Sequence, residues 1–138
     1  MADLQGNHLG YDLGYDVDRT ALHHVQLAIA EGSEDRCREF WGGILGFTEM
    51  EKPPALVARG GCWFRGGAFE VHLGVDRNFR PTAKGHPGIL ISGLDDLAQR
   101  LTARGVDVEW DDNFPGMRRF YASDPLGNRL EFLEPHAG

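Results

Sequence analysis

Two stretches of this chain follow one plan, and that internal repeat limits the fold more than any other feature. The first opens with His24-Val25-Gln26-Leu27-Ala28-Ile29, a strand pattern with Val25, Leu27 and Ile29 on one face and His24, Gln26 and Ala28 on the other. His23 shares the apolar parity at the strand's start. Ser33 is a candidate cap for a helix whose apolar positions Cys37, Phe40, Trp41, Ile44 and Leu45 recur at helical spacing, and Gly46 ends it. Three strands are expected next, near 47–51, 55–63 and 68–75, broken by Pro53-Pro54, Gly60-Gly61 and Gly66-Gly67. In the third, Glu70, His72 and Gly74 alternate with Phe69, Val71 and Leu73. A polar connector over 76–85 follows.

The plan restarts at His86-Pro87-Gly88-Ile89-Leu90-Ile91, which aligns with the strand opening at His24. A helix is expected over 94–104, with Leu94, Leu97, Ala98 and Leu101 inward and Gly105 at its end. Strands near 106–110, 118–123 and 128–134 complete the second half. The helix-ending glycines Gly46 and Gly105 are 105 − 46 = 59 positions apart, and the same step from His72 lands on Glu131. Each half therefore reads strand, helix, three strands. The expected fold class is α+β, two βαβββ modules (21–76 and 85–135) forming a curved mixed sheet around a cleft. One domain spans 21–138. An arm over 1–20 precedes it, where Gly10-Tyr11-Asp12 and Gly14-Tyr15-Asp16 nearly repeat with neither a helical nor a strand period.

The repeat also lines up four side chains of ligand type, His24, His72, His86 and Glu131, and favours His72 over Glu70 as a member of the set. Glu131 closes a hairpin in which Asp124-Pro125-Leu126-Gly127 has the chemistry of a turn. Leu130 and Phe132 share one face of its last strand, and Glu131 points to the other. A lone histidine on a polar strand face is ordinarily a solvated side chain; four ligand types in register are not. Three imidazoles and a carboxylate suit a divalent metal ion such as Fe, Mn, Co, Ni or Zn. Two histidines with one carboxylate would leave positions open for substrate or water.

Composition narrows the partners. A net charge of −7 over 138 residues argues against nucleic acid or an anionic membrane. The chain has no apolar run of bilayer length and no secretory pattern, so a cytoplasmic protein is expected. Cys37 and Cys62 have no metal-type spacing and are expected to be free thiols, Cys37 on the apolar side of the first helix.

The motifs Leu22-His23-His24-Val25-Gln26-Leu27-Ala28-Ile29, Phe40-Trp41-Gly42-Gly43-Ile44-Leu45-Gly46-Phe47, Gly85-His86-Pro87 and the run from Phe120 to Glu131 resemble the vicinal oxygen chelate superfamily. That group holds glyoxalases, bleomycin resistance proteins, fosfomycin-resistance enzymes and extradiol dioxygenases, and the resemblance covers 21–135. It implies three usual metal ligands at His24, His86 and Glu131, with the variable fourth position at His72. No single activity is matched throughout. The Phe120 to Glu131 run fits the core of the extradiol signature, but the histidine expected five to seven residues before Phe120 is missing. Asp111 and Pro115 stand where fosfomycin thiol transferases carry lysine and serine. His72 stands where glyoxalase I enzymes carry glutamate.

The resemblance implies a glyoxalase/dioxygenase-family metalloprotein, a divalent-metal-dependent enzyme of isomerase, lyase or dioxygenase type acting on a small oxygenated substrate. Tyr121 and Glu131 are the catalytic candidates, and Gln26 and Arg118 (or Arg119) the substrate contacts. The alternative is a metal-free, bleomycin-resistance-like protein that stacks a small molecule on Trp63, Phe69, Trp110 or Phe114. The resemblance also implies a homodimer. Were modules exchanged between its chains, His24 and Glu131 would meet His72 and His86 of the partner subunit.

Overall fold

The computed structural model describes residues 12–137. Residues 1–11 of the expected arm lie outside the described residues. Its remainder holds one 3-10 turn, Val17–Arg19, with no buried side chain.

Among the described residues, eight strands form two four-stranded sheets. The first sheet contains β1 (His24–Ile29), β2 (Thr48–Met50), β3 (Cys62–Gly66) and β4 (Phe69–Val75), in the order β1-β4-β3-β2. The second contains β5 (Gly88–Leu90), β6 (Glu109–Asp111), β7 (Met117–Ser123) and β8 (Arg129–Pro135), in the order β5-β8-β7-β6. Both orders are the same permutation, as a duplicated module requires. In each, the opening strand runs parallel to the closing strand and the remaining pairs are antiparallel.

Three helical segments accompany the sheets. α1 (Glu34–Arg38) runs directly into a π-helical stretch, Glu39–Ile44, and a positive φ of 77° at Gly46 ends it. The wider turn brings Phe40, Trp41 and Ile44 inward together with Cys37. Ser33 does not cap α1: its hydroxyl turns back to donate to the Ala30 carbonyl. α3 (Leu94–Ala103) buries Leu94, Ala98 and Leu101, with Leu97 half-buried, as its periodicity predicts.

The middle of the first module departs from expectation. Residues Pro54–Val57 form a short helix, α2, and the strand expected over 55–63 begins only at Cys62. Pro54 pre-sets the helical φ at the first turn, where a missing N–H costs nothing. Gly60 and Gly61, at φ +73° and +82°, then swing the chain back. A Cβ on Gly61 would stand 2.0 Å from the Leu73 carbonyl oxygen, so only glycine passes there.

One core unites the modules. Trp41 and Phe64 from the first, and Phe120, Leu130 and Phe132 from the second, are at most 1% exposed and share a single apolar cluster. Each such side chain contributes about 1.5–3 kcal/mol by leaving water. A polar stitch crosses the same boundary. Asn128, 1% exposed, donates from Nδ2 to the Ala28 carbonyl at 2.8 Å and to Asp124 at 2.9 Å, and its Oδ1 accepts from the Thr82 N–H at 3.1 Å. Arg100 of α3 also donates to the carbonyls of Gly43 and Ile44.

Asp124 organises the hairpin that the sequence singled out. Its carboxylate accepts from the backbone N–H groups of Leu126 and Asn128 as well as from the Asn128 amide. Burial pushes this carboxyl above its ordinary range, and the hydrogen bonds oppose that shift only in part.

Candidate metal centre

The face of each sheet opposite its apolar side repeats the same constellation. In the first, Gln26 of β1 and Trp63 of β3 flank His72 of β4 in register. In the second, Gly88 of β5 and Tyr121 of β7 flank Glu131 of β8. His24 precedes Gln26 by two positions, and His86 precedes Gly88 by two. Strand pairing thus reproduces the correspondences His24 with His86 and His72 with Glu131.

In the first half-site three rings lie nearly parallel. Trp63 stacks on His72 with centroids 3.8 Å apart and planes 3° from parallel, and His72 stacks on His24 at 4.0 Å and 12°. His72 Nε2 lies 2.9 Å from Oε1 of Glu70, and Arg65 donates to the other Glu70 oxygen at 2.7 Å. The Arg65 guanidinium first, then His72, hold the Glu70 carboxyl at about 2, well below the usual range. His23 Nδ1 lies 3.0 Å from Nδ1 of His24. The Gln26 amide packs against Gly74, where a Cβ would stand 2.5 Å from its Nε2.

The second half-site centres on His86 and Glu131. His86 Nδ1 lies 2.9 Å from the Lys84 carbonyl oxygen, and His86 Nε2 lies 2.9 Å from Oε1 of Glu131. A carbonyl can only accept, so Nδ1 carries a proton. In the neutral ring, Nε2 then turns a lone pair toward a carboxylate oxygen, an arrangement that only a proton or a cation stabilises. The spacing also matches what neighbouring ligands of one ion require, since two bonds of about 2.1 Å at right angles place their donor atoms about 3 Å apart. The residues present therefore fit a divalent metal. Arg119 restrains the second Glu131 oxygen at 3.2 Å and also bonds Asp111. Tyr121 lies edge-on to the His86 ring at 5.4 Å and under the Arg129 guanidinium at 4.0 Å.

The four expected ligands come together two by two. His24 meets His72, and His86 meets Glu131; among the described residues no three His, Cys, Asp or Glu side chains are grouped to hold one ion. His24 on β1 lies beside His72 on β4, and His86, two residues before β5, lies beside Glu131 on β8. Arg118 also falls elsewhere. It shares the parity of the buried Phe120 and binds Asp95 at 2.8 Å and Glu134 at 3.4 Å, on the opposite face from Glu131. Arg119 is the arginine that reaches Glu131.

Two contributors escaped the repeat. Glu70 and Arg65 carry their signal in cross-strand pairing, which places Arg65 opposite Glu70 two positions along from Trp63 and His72. Of the aromatic residues considered for stacking a small molecule, Trp63 covers His72 and Phe69 packs on Phe47, whereas Trp110 and Phe114 are exposed. A cavity of about 800 Å³ opens beside Tyr121, Arg129, Phe40 and Ile44 and contains none of the four ligand candidates. The donor chemistry, not that cavity, locates the centre.

No described sequence family and no curated protein matches the chain. Among solved structures, a protein from Bacillus anthracis described as glyoxalase family is 42% identical, with a TM-score of 0.83 over 85% of this chain and 96% of that one. The chain belongs to the glyoxalase family. Its two βαβββ modules are the fold of that family. A lactoylglutathione lyase from Agrobacterium tumefaciens (21% identity, TM-score 0.66, 83% and 93% covered) shares the fold. So does an antibiotic binding protein from a Streptomyces species (20%, 0.67, 85% and 97%). At that identity an enzyme and a binding protein are equally similar to this glyoxalase-family chain, so the choice of activity rests on its own residues. No helix among the described residues is long and apolar enough to cross a membrane.

Proposed function

We propose that this glyoxalase-family protein is a divalent-metal enzyme acting on a small oxygenated substrate, with each metal centre shared between two copies of the chain. The observation that carries this reading is the His86–Glu131 pair, whose facing donor atoms 2.9 Å apart suit a shared proton or a metal ion. Its complement, His24 beside His72, lies on the other module, and β1 and β5 are both outer strands with one free edge. A second copy can bring the first half-site of one chain to the second half-site of the other. The metal ion would be Fe, Mn, Ni, Co or Zn.

A bound divalent cation would supply Lewis-acid stabilisation of oxyanion charge on a substrate that chelates through neighbouring oxygens. The chain's own residues do the rest. Lys84 fixes the His86 ring through Nδ1, and Arg119 fixes the rotation of Glu131. Tyr121, beside both on the same sheet face, is placed to hydrogen-bond substrate or pass it a proton. Gln26 lines the opposite wall. The reaction class is isomerase, lyase or dioxygenase.

The test needs no substrate. Untagged protein contains stoichiometric metal by elemental analysis, and neither His24→Ala nor His86→Ala retains it. Mixing and refolding the two variants restores metal to about half of the mixed dimers' sites, because one centre per mixed dimer then has all its ligands. No metal in the wild type after reconstitution with Fe, Mn, Co, Ni and Zn would refute the enzyme reading in favour of a metal-free binding protein. Loss in both variants without restoration would refute the shared centre.

A further inference from the structure

The fourth position of the proposed metal centre is occupied by a histidine whose ring has no freedom to turn. Its two faces are covered by Trp63 and His24, its Nε2 is engaged by Glu70, and only 8% of its side chain is exposed. Glu70 is fixed in turn by Arg65.

A metal ion binds imidazole along the nitrogen lone pair, which lies in the ring plane. Two imidazoles that share an ion must therefore have planes that intersect at it. The His24 and His72 planes do not do so. With centres 4.0 Å apart and a tilt of 12°, they meet on the order of 20 Å away, about ten times the length of a metal–nitrogen bond of ~2.1 Å. Rotating His72 far enough to bring its lone pair onto the ion bound by His24 would break the face contact with Trp63 and the bond to Glu70 together.

We propose that His72 is a positioning residue rather than a fourth ligand: held by Trp63, Glu70 and Arg65, it sets the ring plane of His24, which binds the metal together with His86 and Glu131. This rests on the metal reading above and deepens it. It reduces the protein donors to two imidazoles and one carboxylate and leaves the remaining coordination positions to substrate and water. It also gives the stack a purpose. A histidine at the start of an outer strand, with its partner His23 mostly in solvent, has no other large group to fix its orientation.

The test is cobalt(II) binding, measured by competition with a chelator, together with the visible spectrum of the bound ion, which reports its ligand number and geometry. His72→Phe keeps a flat ring in the stack but has no donor atom. It is expected to bind cobalt within about threefold of the wild type and to give the same spectrum, whereas His24→Phe binds at least about a hundredfold more weakly. His72→Ala removes the ring and weakens binding by about tenfold, the usual size of an effect exerted through a ligand's neighbour. Trp63→Leu, which keeps both imidazoles and strips one face of the stack, weakens it in the same direction and serves where His72 variants fold poorly. Loss of cobalt in His72→Phe equal to that in His24→Phe, or unchanged binding in Trp63→Leu, overturns the assignment. A wild type that takes up no cobalt overturns both this and the reading beneath it, so the two failures are distinguishable.

Discussion

Replacing Asn128 with alanine should loosen the joint between the modules more than any comparable surface change. The side chain is 1% exposed and makes three hydrogen bonds, to the Ala28 carbonyl, the Asp124 carboxylate and the Thr82 N–H. Truncation strands all three partners. A buried group left unpaired costs about 1–3 kcal/mol, and a partner that water can reach lies at the lower end. Thr82 is exposed, Ala28 is partly buried and Asp124 is buried, so the total is about 3–5 kcal/mol. Against a typical stability of about 5–15 kcal/mol this is a large fraction. In urea, with a slope of about 1–3 kcal/mol per molar, the midpoint should fall by about 2 M with the slope unchanged. The penalty should also depend on pH. Burial raises the folded-state pKa of Asp124, and a carboxyl raised in the fold contributes stability at low pH that is lost as pH rises through its folded pKa. Asn128 opposes that rise, so removing it raises the pKa further, and the penalty should be larger at pH 7 than at pH 4. A midpoint shift below about 0.5 M, or a penalty the same at both pH values, would refute this account of the joint.

Three further outcomes follow from the packing. Gly61→Ala should cost more than about 2 kcal/mol in the same denaturation assay, since the new Cβ would stand 2.0 Å from the Leu73 carbonyl oxygen at a φ of +82°. Cys37 and Cys62 are at most 1% exposed, and burial pushes their thiols up to about 11 and about 12. An aromatic disulfide reagent at pH 8 should therefore label neither in the folded protein and both in denaturant. Glu70 sits at about 2 against an ordinary 4.5, so its contribution to stability is complete above pH 4.5 and lost as pH falls toward 2. The urea midpoint of the metal-free protein should rise more steeply from pH 3 to pH 5 than that of Glu70→Gln.

The repeat was legible because duplication writes the same hydrophobic alternation twice, and the correspondence of His72 with Glu131 survived as strand register. What alternation cannot convey is which strands are neighbours. The four ligand candidates were visible one by one, but their division into His24 with His72 and His86 with Glu131 follows from β1 pairing with β4 and β5 with β8. Of Arg118 and Arg119, both candidates in the sequence, parity counted from Phe120, which faces the core, selects Arg119 as the one on the Glu131 face. The segment over 55–63 was misread because small apolar residues satisfy either period, and Pro54 with Gly60-Gly61 decided the outcome through backbone geometry. The π-helical turn has a similar origin. Gly42 and Gly43 give the backbone there extra conformational freedom, while Phe40, Trp41 and Ile44 all reach the core.

Duplication alone would give the two half-sites the same surface, but positions 26 and 88 break that equivalence. In the first half-site the Gln26 amide occupies the space over Gly74; in the second, Gly88 leaves room for a Cβ beside Glu131, with Leu133 and the carboxylate nearest to it at 3.7 and 3.9 Å. The aromatic register partner differs as well, an indole in one half-site and a phenol in the other. In the proposed shared centre, a small molecule held between the two half-sites would meet sides that differ in shape and in hydrogen-bonding capacity. A container with a pseudo-twofold axis and unequal halves distinguishes the two ends of a nearly symmetric guest, and with them its two prochiral faces.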